Sequence, residues 1–326
     1  MKYHIKLKIE NCYNAGSKAV EDVNKILEDN GYIPINAHGS CRNRFFRLFE
    51  TTYNIIKLFV SLEKGCTCFL QWPYYMIEFP LLAYILKRKC ENIIVLVHDL
   101  DSIRGAVDHK YEQDALEMAT TLIVHNESMR NYVESLGIKR DKIKILNTFD
   151  YLVKYNERNE RHYSYDVAFA GNLNKSVFLR KIDSMSFKTV FYCYGKSNFE
   201  ISGKIQYKGV FQPEDVSKIE GSWGLVWDGD SVETCSGKEG KYMRLNSPHK
   251  VSLYIVAELP IIIWEEAALA HYIKERHLGI CISSLYDIDK TIGGVSEEEY
   301  DSIRNNLKKE KAELTAGKHL LECLSH

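Results

Sequence analysis

The sequence predicts an α/β protein built from two Rossmann-like, doubly wound parallel-sheet domains. Three observations predict it. Short apolar runs, residues 93–97 (IIVLV), 224–227 (GLVW) and 261–264 (IIIW), read as strands buried on both faces. Segments with apolar residues at helical spacing alternate with such runs, the βαβα order of parallel sheets. Finally, 326 residues exceed what one hydrophobic core usually serves, and the pattern restarts after a polar stretch at 151–164.

Composition narrows the function. Hydrophobic residues make up 45% and charged residues 27%, ordinary for a folded protein, and a net charge of -1 gives no support to nucleic-acid binding. Nine scattered cysteines, with no pair at metal or redox spacing, fit reduced thiols in a cytoplasm. The N-terminus lacks a signal-peptide core, and the longest apolar run, 79–86, is too short to span a bilayer. A cytoplasmic protein is expected.

In chain order, residues 3–9 read as a first strand and lead through a loop to Gly16. Ser17 then opens a helix with Ala19, Val20, Val23, Ile26 and Leu27 on one face. Glycine at this turn lets a ligand approach the backbone, and Ser17 and Lys18 are placed to bond phosphate or sugar; the plain alternative is an N-cap beside a solvated lysine. A helix over 42–64 is expected, with Arg42, Arg44 and Arg47 at its start. It reads first as a core-facing helix with a solvated basic end. The second reading lays these arginines, with Lys87, Arg88 and Lys89 after a helix at 77–86, against the inner face of an anionic membrane. Trp72, in the aromatic stretch after strand 68–70, is a candidate ring for stacking on an acceptor sugar, or simply packs.

The strand at 93–97 ends in His98, Asp99, Leu100 and Asp101. Titratable groups at a strand's carboxyl end suit general-base chemistry on an acceptor hydroxyl; the alternative is capping of the next turn. Arg104 and Gly105 begin a loop, and a strand at 122–124, a helix at 127–136 and a strand at 144–146 finish the first domain, 1–152. A linker is expected over 153–164 and a second domain over 165–310. There, strand 166–170 closes in Gly171, Asn172 and Lys175, a phosphate-accommodating turn that matches neither the P-loop nor the dinucleotide fingerprint. Strand 224–227 ends in the acidic turn Asp228, Gly229, Asp230, with Glu233 beyond. Asn246, Ser247 and Pro248 open a helix carrying His249 and Lys250 in its first turn, a helix N-terminus suited to an anion.

The segments LVWDGDSVETCSG and NSPHKVSLYIVAELPIIIW resemble the donor-binding half of GT-B glycosyltransferases, most closely bacterial galactofuranosyltransferases of O-antigen gene clusters. They resemble more loosely the glucosyltransferase that extends N-acetylglucosamine on serine-rich adhesins. The resemblance implies a GT-B fold whose two domains face a cleft, with a last helix, 311–326, crossing back to the first domain. It implies transfer of a sugar, galactofuranose in the closer family, from a UDP-sugar to a saccharide acceptor, lipid-linked in some pathways, with inversion and without cofactor or metal. Asn246 and Lys250 would hold diphosphate and ribose, joined by Gly16, Ser17, Gly171, Asn172, Lys175, Asp228 and His249. Tyr194 and Tyr207, at turns that hold the base in such enzymes, become candidates for stacking on uracil. Asp99 is the first choice of base and Asp101 the second, with His98 orienting or protonating. Lys18, Trp72, Arg104, Asp230 and Glu233 are assigned to the acceptor. A glucosyltransferase of glycoprotein glycans and a non-catalytic nucleotide-sugar-binding subunit remain alternatives.

Overall fold

The computed structural model describes residues 1–6, 15–37, 44–74, 79–103, 105, 107–154, 161–182, 185–198 and 203–325, with backbone alone at Ala15, Gly16, Arg44, Phe45 and Arg47. The chain divides into two units at Leu146/Asn147, and the first turn of the first helix, through Ala19, counts with the second.

The first unit runs β1 (Lys2–Lys6), α1 (Ala15–Asp29), β2 (Ile33–Asn36), α2 (Arg44–Ser61), β3 (Cys66–Trp72), α3 (Phe79–Lys89), β4 (Cys90–Val97), α4 (His109–Glu117), β5 (Thr121–Val124), α5 (Glu127–Ser135) and β6 (Ile143–Ile145). Its six strands are parallel in the order β2-β1-β3-β4-β5-β6. Helix α4 falls where a loop was expected after Gly105. Asp108 starts it by accepting from the amides of Lys110 and Tyr111 at 2.8 and 3.2 Å.

The second unit holds β7 (Asp166–Ala170), α6 (Leu179–Ile182), β8 (Val190–Tyr194), β9 (Ile205–Gly209), β10 (Trp223–Val226), α7 (Gly237–Tyr242), α8 (His249–Val256), β11 (Ile261–Trp264), α9 (Ala270–Glu275), β12 (Gly279–Ile282), α10 (Ile288–Gly293), α11 (Glu297–Thr315) and α12 (Lys318–Leu324). Its strands are also parallel, ordered β12-β11-β10-β7-β8-β9. The chain's end folds as one long helix and a short one, so the last helix expected over 311–326 begins inside α11. Nothing in KKEK (308–311) breaks a helix, whereas Gly317 takes the left-handed φ of +71°.

Helix α8 is fixed on this sheet by one ring. A Cβ on Gly224 of β10 would lie 2.4 Å from the Tyr254 ring, so glycine lets that ring lie against the strand. The Tyr254 hydroxyl then accepts from the Ala170 amide at the end of β7, at 2.9 Å. At the other end of α8 the buried Arg161 guanidinium donates to Ala257, Gly221 and Ile219 carbonyls at 2.8–3.0 Å. So the last part of the stretch expected as linker is built into the core of the second unit, while 155–160 lie outside the described residues.

Candidate active site

In the second sheet the chain leaves β7 for β8 on one side and returns with β10 on the other. Ligands of doubly wound sheets sit at the carboxyl ends flanking such a reversal. Three segments meet there: 171–176 after β7, 227–236 after β10, and the start of α8. Lys250 joins them. Its Nζ lies 3.1 Å from Asp228 Oδ2, 3.3 Å from the Trp227 carbonyl and 4.5 Å from the Phe169 ring centroid. Gly171 makes room for it, since a Cβ there would sit 2.9 Å from Lys250 Cε. Gly195, at the end of β8, has φ of +142°, and its Cβ would strike the Gly171 carbonyl at 1.8 Å. The lysine side chain is only 13% exposed, so its charge is poorly screened.

Pro248, at the N-cap of α8, offers no side-chain acceptor to the helix's first amides. His249 follows, tilted against Phe149 and Tyr151 with centroids 5.9 and 5.1 Å away. Lys18 Nζ donates to the Leu152 carbonyl at 2.7 Å and sits 5.0 Å from the Tyr151 ring centroid. Burial, and then the Lys18 charge, push the His249 imidazole down to about 3, so it is neutral at physiological pH. His249 Nε2 and Asn246 Oδ1 are both out of solvent and find no hydrogen-bond partner among the described residues. Buried polar atoms usually find a partner, and these two, at the helix start that also carries Lys250, are groups that a polar ligand would complete.

The acidic turn is closed on itself. A Cβ on Gly229, at φ of +110°, would lie 2.2 Å from the Ser236 carbonyl. Ser236 Oγ donates to Asp230, which lowers that carboxyl's pKa. Trp227 Nε1 donates to the Ser231 carbonyl at 2.9 Å, and the Glu233 amide to Ser231 Oγ at 3.1 Å. Asp228 alone of its acids turns inward, to Lys250. Among the described residues one group brings three possible metal ligands within 4.8 Å of one another, and it lies elsewhere: Glu310, Glu313 and His319. Arg276 and Lys318 already engage those carboxylates, so a cation would have to displace them.

In the first unit, the His98 amide donates to the Trp72 carbonyl at 2.7 Å, and its Nε2 meets Gln71 Oε1 at 2.7 Å. Gln71 Nε2 donates to Asn24 Oδ1 at 2.8 Å, which turns Oε1 toward the histidine. The imidazole therefore donates from Nε2 and carries its lone pair on Nδ1. Asp99 and Asp101 are half-buried next to it. Buried Glu112 holds the strand end: its Oε1 accepts from the Asp101 amide at 3.0 Å and Trp72 Nε1 at 3.3 Å, and its Oε2 accepts from Ser102 Oγ at 2.5 Å.

The structure thus brings Gly171 and Asp228 to Lys250, with Asn246 and His249 at the start of the same helix, and places His98, Asp99 and Asp101 at one strand end of the first unit. Lys18, expected on the acceptor side, lies with Tyr151 and His249. Gly16 and Ser17 sit in the first turn of α1, Ser17 buried. Trp72 has 0% exposure and packs against Phe79 and Tyr111, leaving no face for a sugar. Tyr194 is likewise buried, its hydroxyl accepting from the Glu220 amide at 2.8 Å, so it does not stack on a base. Tyr207 is exposed, but in the middle of edge strand β9, two strands from β7. Asn172 is exposed and bonds its own loop through the Asn174 amide, and exposed Lys175 lies 3.7 Å from Glu239. Glu233 is exposed. Arg104 lies outside the described residues, as do Arg42 and the side chains of Arg44 and Arg47. Gln71, Glu112 and Tyr151 were missed; a glutamine inside the apolar strand CFLQW was the available signal.

Two doubly wound parallel sheets of six strands each make the two-domain GT-B fold of glycosyltransferases. Residues 2–148 match the N-terminal domain, and 167–326 the C-terminal domain, of glucosyltransferase 3-like proteins. The chain belongs to that family. It is 33% identical over 275 residues to the β-1,6-galactofuranosyltransferase WbbI of Escherichia coli (strain K12), covering 81% of this chain and 79% of that one. To glucosyltransferase 3 of Streptococcus gordonii it is 23% identical over 322 residues, covering 94% and 93%. Among solved structures, Anabaena HepE in complex with UDP and glucose superposes with a TM-score of 0.62 over 100% of this chain and 99% of that one, at 9% identity, a likeness of fold alone.

Proposed function

We propose that this chain transfers galactofuranose from UDP-galactofuranose to a saccharide acceptor in surface-polysaccharide synthesis, with inversion and without a metal. The observation that carries it is the second-unit site, where the start of α8 carries Lys250 together with two buried polar atoms that lack partners among the described residues. A diphosphate supplies the anion that such a cation and helix start attract, and ribose hydroxyls supply donors for Asn246 Oδ1. The choice of sugar draws support from the 33% identical galactofuranosyltransferase.

Inversion needs one base. Asp99 takes the proton of the acceptor hydroxyl, the freed oxygen pair attacks the anomeric carbon opposite UDP, and the bond to the diphosphate breaks with its electron pair leaving on UDP. Lys250 and the α8 amides neutralise that growing charge, the part a divalent ion plays elsewhere. His98 orients the hydroxyl, and Asp101 is the second candidate base. Glucosyl transfer to a glycoprotein glycan is the other reading, favoured by the match to glucosyltransferase 3 over 94% of the chain.

The test is UDP release from UDP-galactofuranose, with and without a panel of galactose- and glucose-ended saccharides. Acceptor-dependent release supports an enzyme. Binding of UDP with no release under any acceptor would favour the nucleotide-sugar-binding subunit.

A further inference from the structure

Helix α2 is apolar on two opposite sides. Thr51, Ile55 and Leu58 are buried and face the first unit's core. At 100° per residue, Phe46, Phe49, Tyr53, Ile56 and Val60 form a second stripe roughly opposite the first, and all five are exposed, Tyr53 to 64% and Val60 to 79%. A helix packed only against its own domain needs one apolar face. Leu48 and Phe59 of α2 and Leu81 and Tyr84 of α3 are exposed as well, so nine of the sixteen large apolar side chains exposed among the described residues lie on these two helices. The helices are joined at their C-terminal ends, where Lys89 Nζ sits 4.5 Å from the Phe59 ring centroid and donates to the Leu62 carbonyl at 3.1 Å.

The surroundings are cationic. The last turn of α3 is Lys87, Arg88 and Lys89, and α3 has no acidic residue. Arg88 donates to the Tyr84 hydroxyl at 2.7 Å, setting a guanidinium at the edge of an exposed ring. Lys57 and Lys64 are exposed near the end of α2, whose only acid is Glu50. Glu63, just beyond, is paired with the amino terminus at 3.7 Å. This local excess stands out in a chain of net charge -1.

We propose that the α2 and α3 faces dock on an anionic lipid bilayer surface. Aromatic and aliphatic rows flanked by lysine and arginine suit the boundary between acyl chains and anionic headgroups. A second copy is the poorer occupant, because a two-fold contact through this face would set its cations against themselves. Among the described residues no helix is long and apolar enough to cross a membrane, so docking through these helices would be peripheral.

The experiment is flotation of the purified full chain with vesicles of phosphatidylcholine containing phosphatidylglycerol, against vesicles of phosphatidylcholine alone. The chain should float with the anionic vesicles and stay behind with the neutral ones, and high salt should weaken the association. Phe49→Glu/Val60→Glu and Lys87→Glu/Arg88→Glu should each cut the bound fraction by on the order of tenfold. Because these residues lie outside the nucleotide site, UDP affinity and the melting temperature of the variants should stay those of the unaltered chain. The proposal fails if the chain does not float with anionic vesicles, or if both folded variants bind them as well as it does. It fails too if light scattering shows a dimer that Phe49→Glu/Val60→Glu splits while no vesicle binding is seen, since the face would then be a self-contact.

Discussion

His98 and Gln71 are joined side chain to side chain at 2.7 Å, and Gln71 is itself anchored on Asn24 of α1. The histidine is therefore held in one tautomer, next to the carboxylate assigned as base. Asp99→Asn should cut turnover by about 10²–10⁴-fold, the usual cost of a lost general base, and leave UDP affinity unchanged. If Asp99→Asn keeps its activity while His98→Asn or Asp101→Asn loses it, the base is the residue whose loss is felt. Gln71→Glu would place a carboxylate against the imidazole, raising its pKa and moving upward the limb of the pH–rate profile that His98 governs. A profile that does not move would leave His98 no part in proton transfer.

Lys250 is the cation assigned to the diphosphate. Lys250→Ala should weaken UDP binding by about 1.5–3 kcal/mol, the range for a hydrogen bond to a charged group. Gly171→Ala should act on the same quantity by a different route, because its methyl would press on Lys250 Cε, a clash of the kind that costs about 1–3 kcal/mol. Titration calorimetry with UDP reads both; affinities equal to the unaltered chain's would remove Lys250 from the diphosphate.

Transfer should proceed in excess EDTA, because the acids of the turn after β10 do not converge: Asp230 is committed to Ser236 and Asp228 to Lys250. Activity lost to chelation and restored by magnesium or manganese would show the charge on UDP to be carried by an ion.

The start of α12 carries a pH-dependent bond. His319 donates its amide to Asp150, its ring contacts Thr148, and its Nε2 lies 3.4 Å from Glu310. Burial opposes its protonated form, but Glu310 and Asp150 outweigh that and raise its pKa above 6.5. A raised folded-state pKa stabilises fully below the unfolded value, and the contribution is lost as pH rises through the folded one. His319→Gln should lower stability by about 1.5–3 kcal/mol at acid pH and flatten this dependence. Urea denaturation from pH 6 to 9 measures it, and identical slopes for the two proteins would contradict it.

Much of the scaffold could be read from the sequence because buried parallel strands announce themselves. Residues 261–264 could hardly be anything else, and Pro248 marked the start of α8. Helix α4 was missed because its signal, Asp108 at an N-cap, sits in an otherwise polar stretch with little apolar periodicity. The start of the last helix, expected at 311, falls at Lys318 because its cause is one glycine conformation. Of the candidate residues, Lys250 in the first turn of its helix and Asp228 at its strand end could be placed from local sequence, and the structure pairs them at 3.1 Å. Trp72 and Tyr194 misled because an aromatic ring near a strand end has the same sequence signature whether it packs or binds. Gln71 and Lys18 act through contacts made by distant segments, which no single stretch of sequence encodes.

The identity of the donor sugar decides what this enzyme makes. Initial rates of UDP release with equal concentrations of UDP-galactofuranose, UDP-galactose and UDP-glucose, on an acceptor that supports turnover, test it most directly. The account predicts that UDP-galactofuranose is used at least tenfold faster than either pyranose donor, a preference of about 1.4 kcal/mol in the transition state. Preferential use of UDP-glucose would contradict it and make the chain a glucosyltransferase.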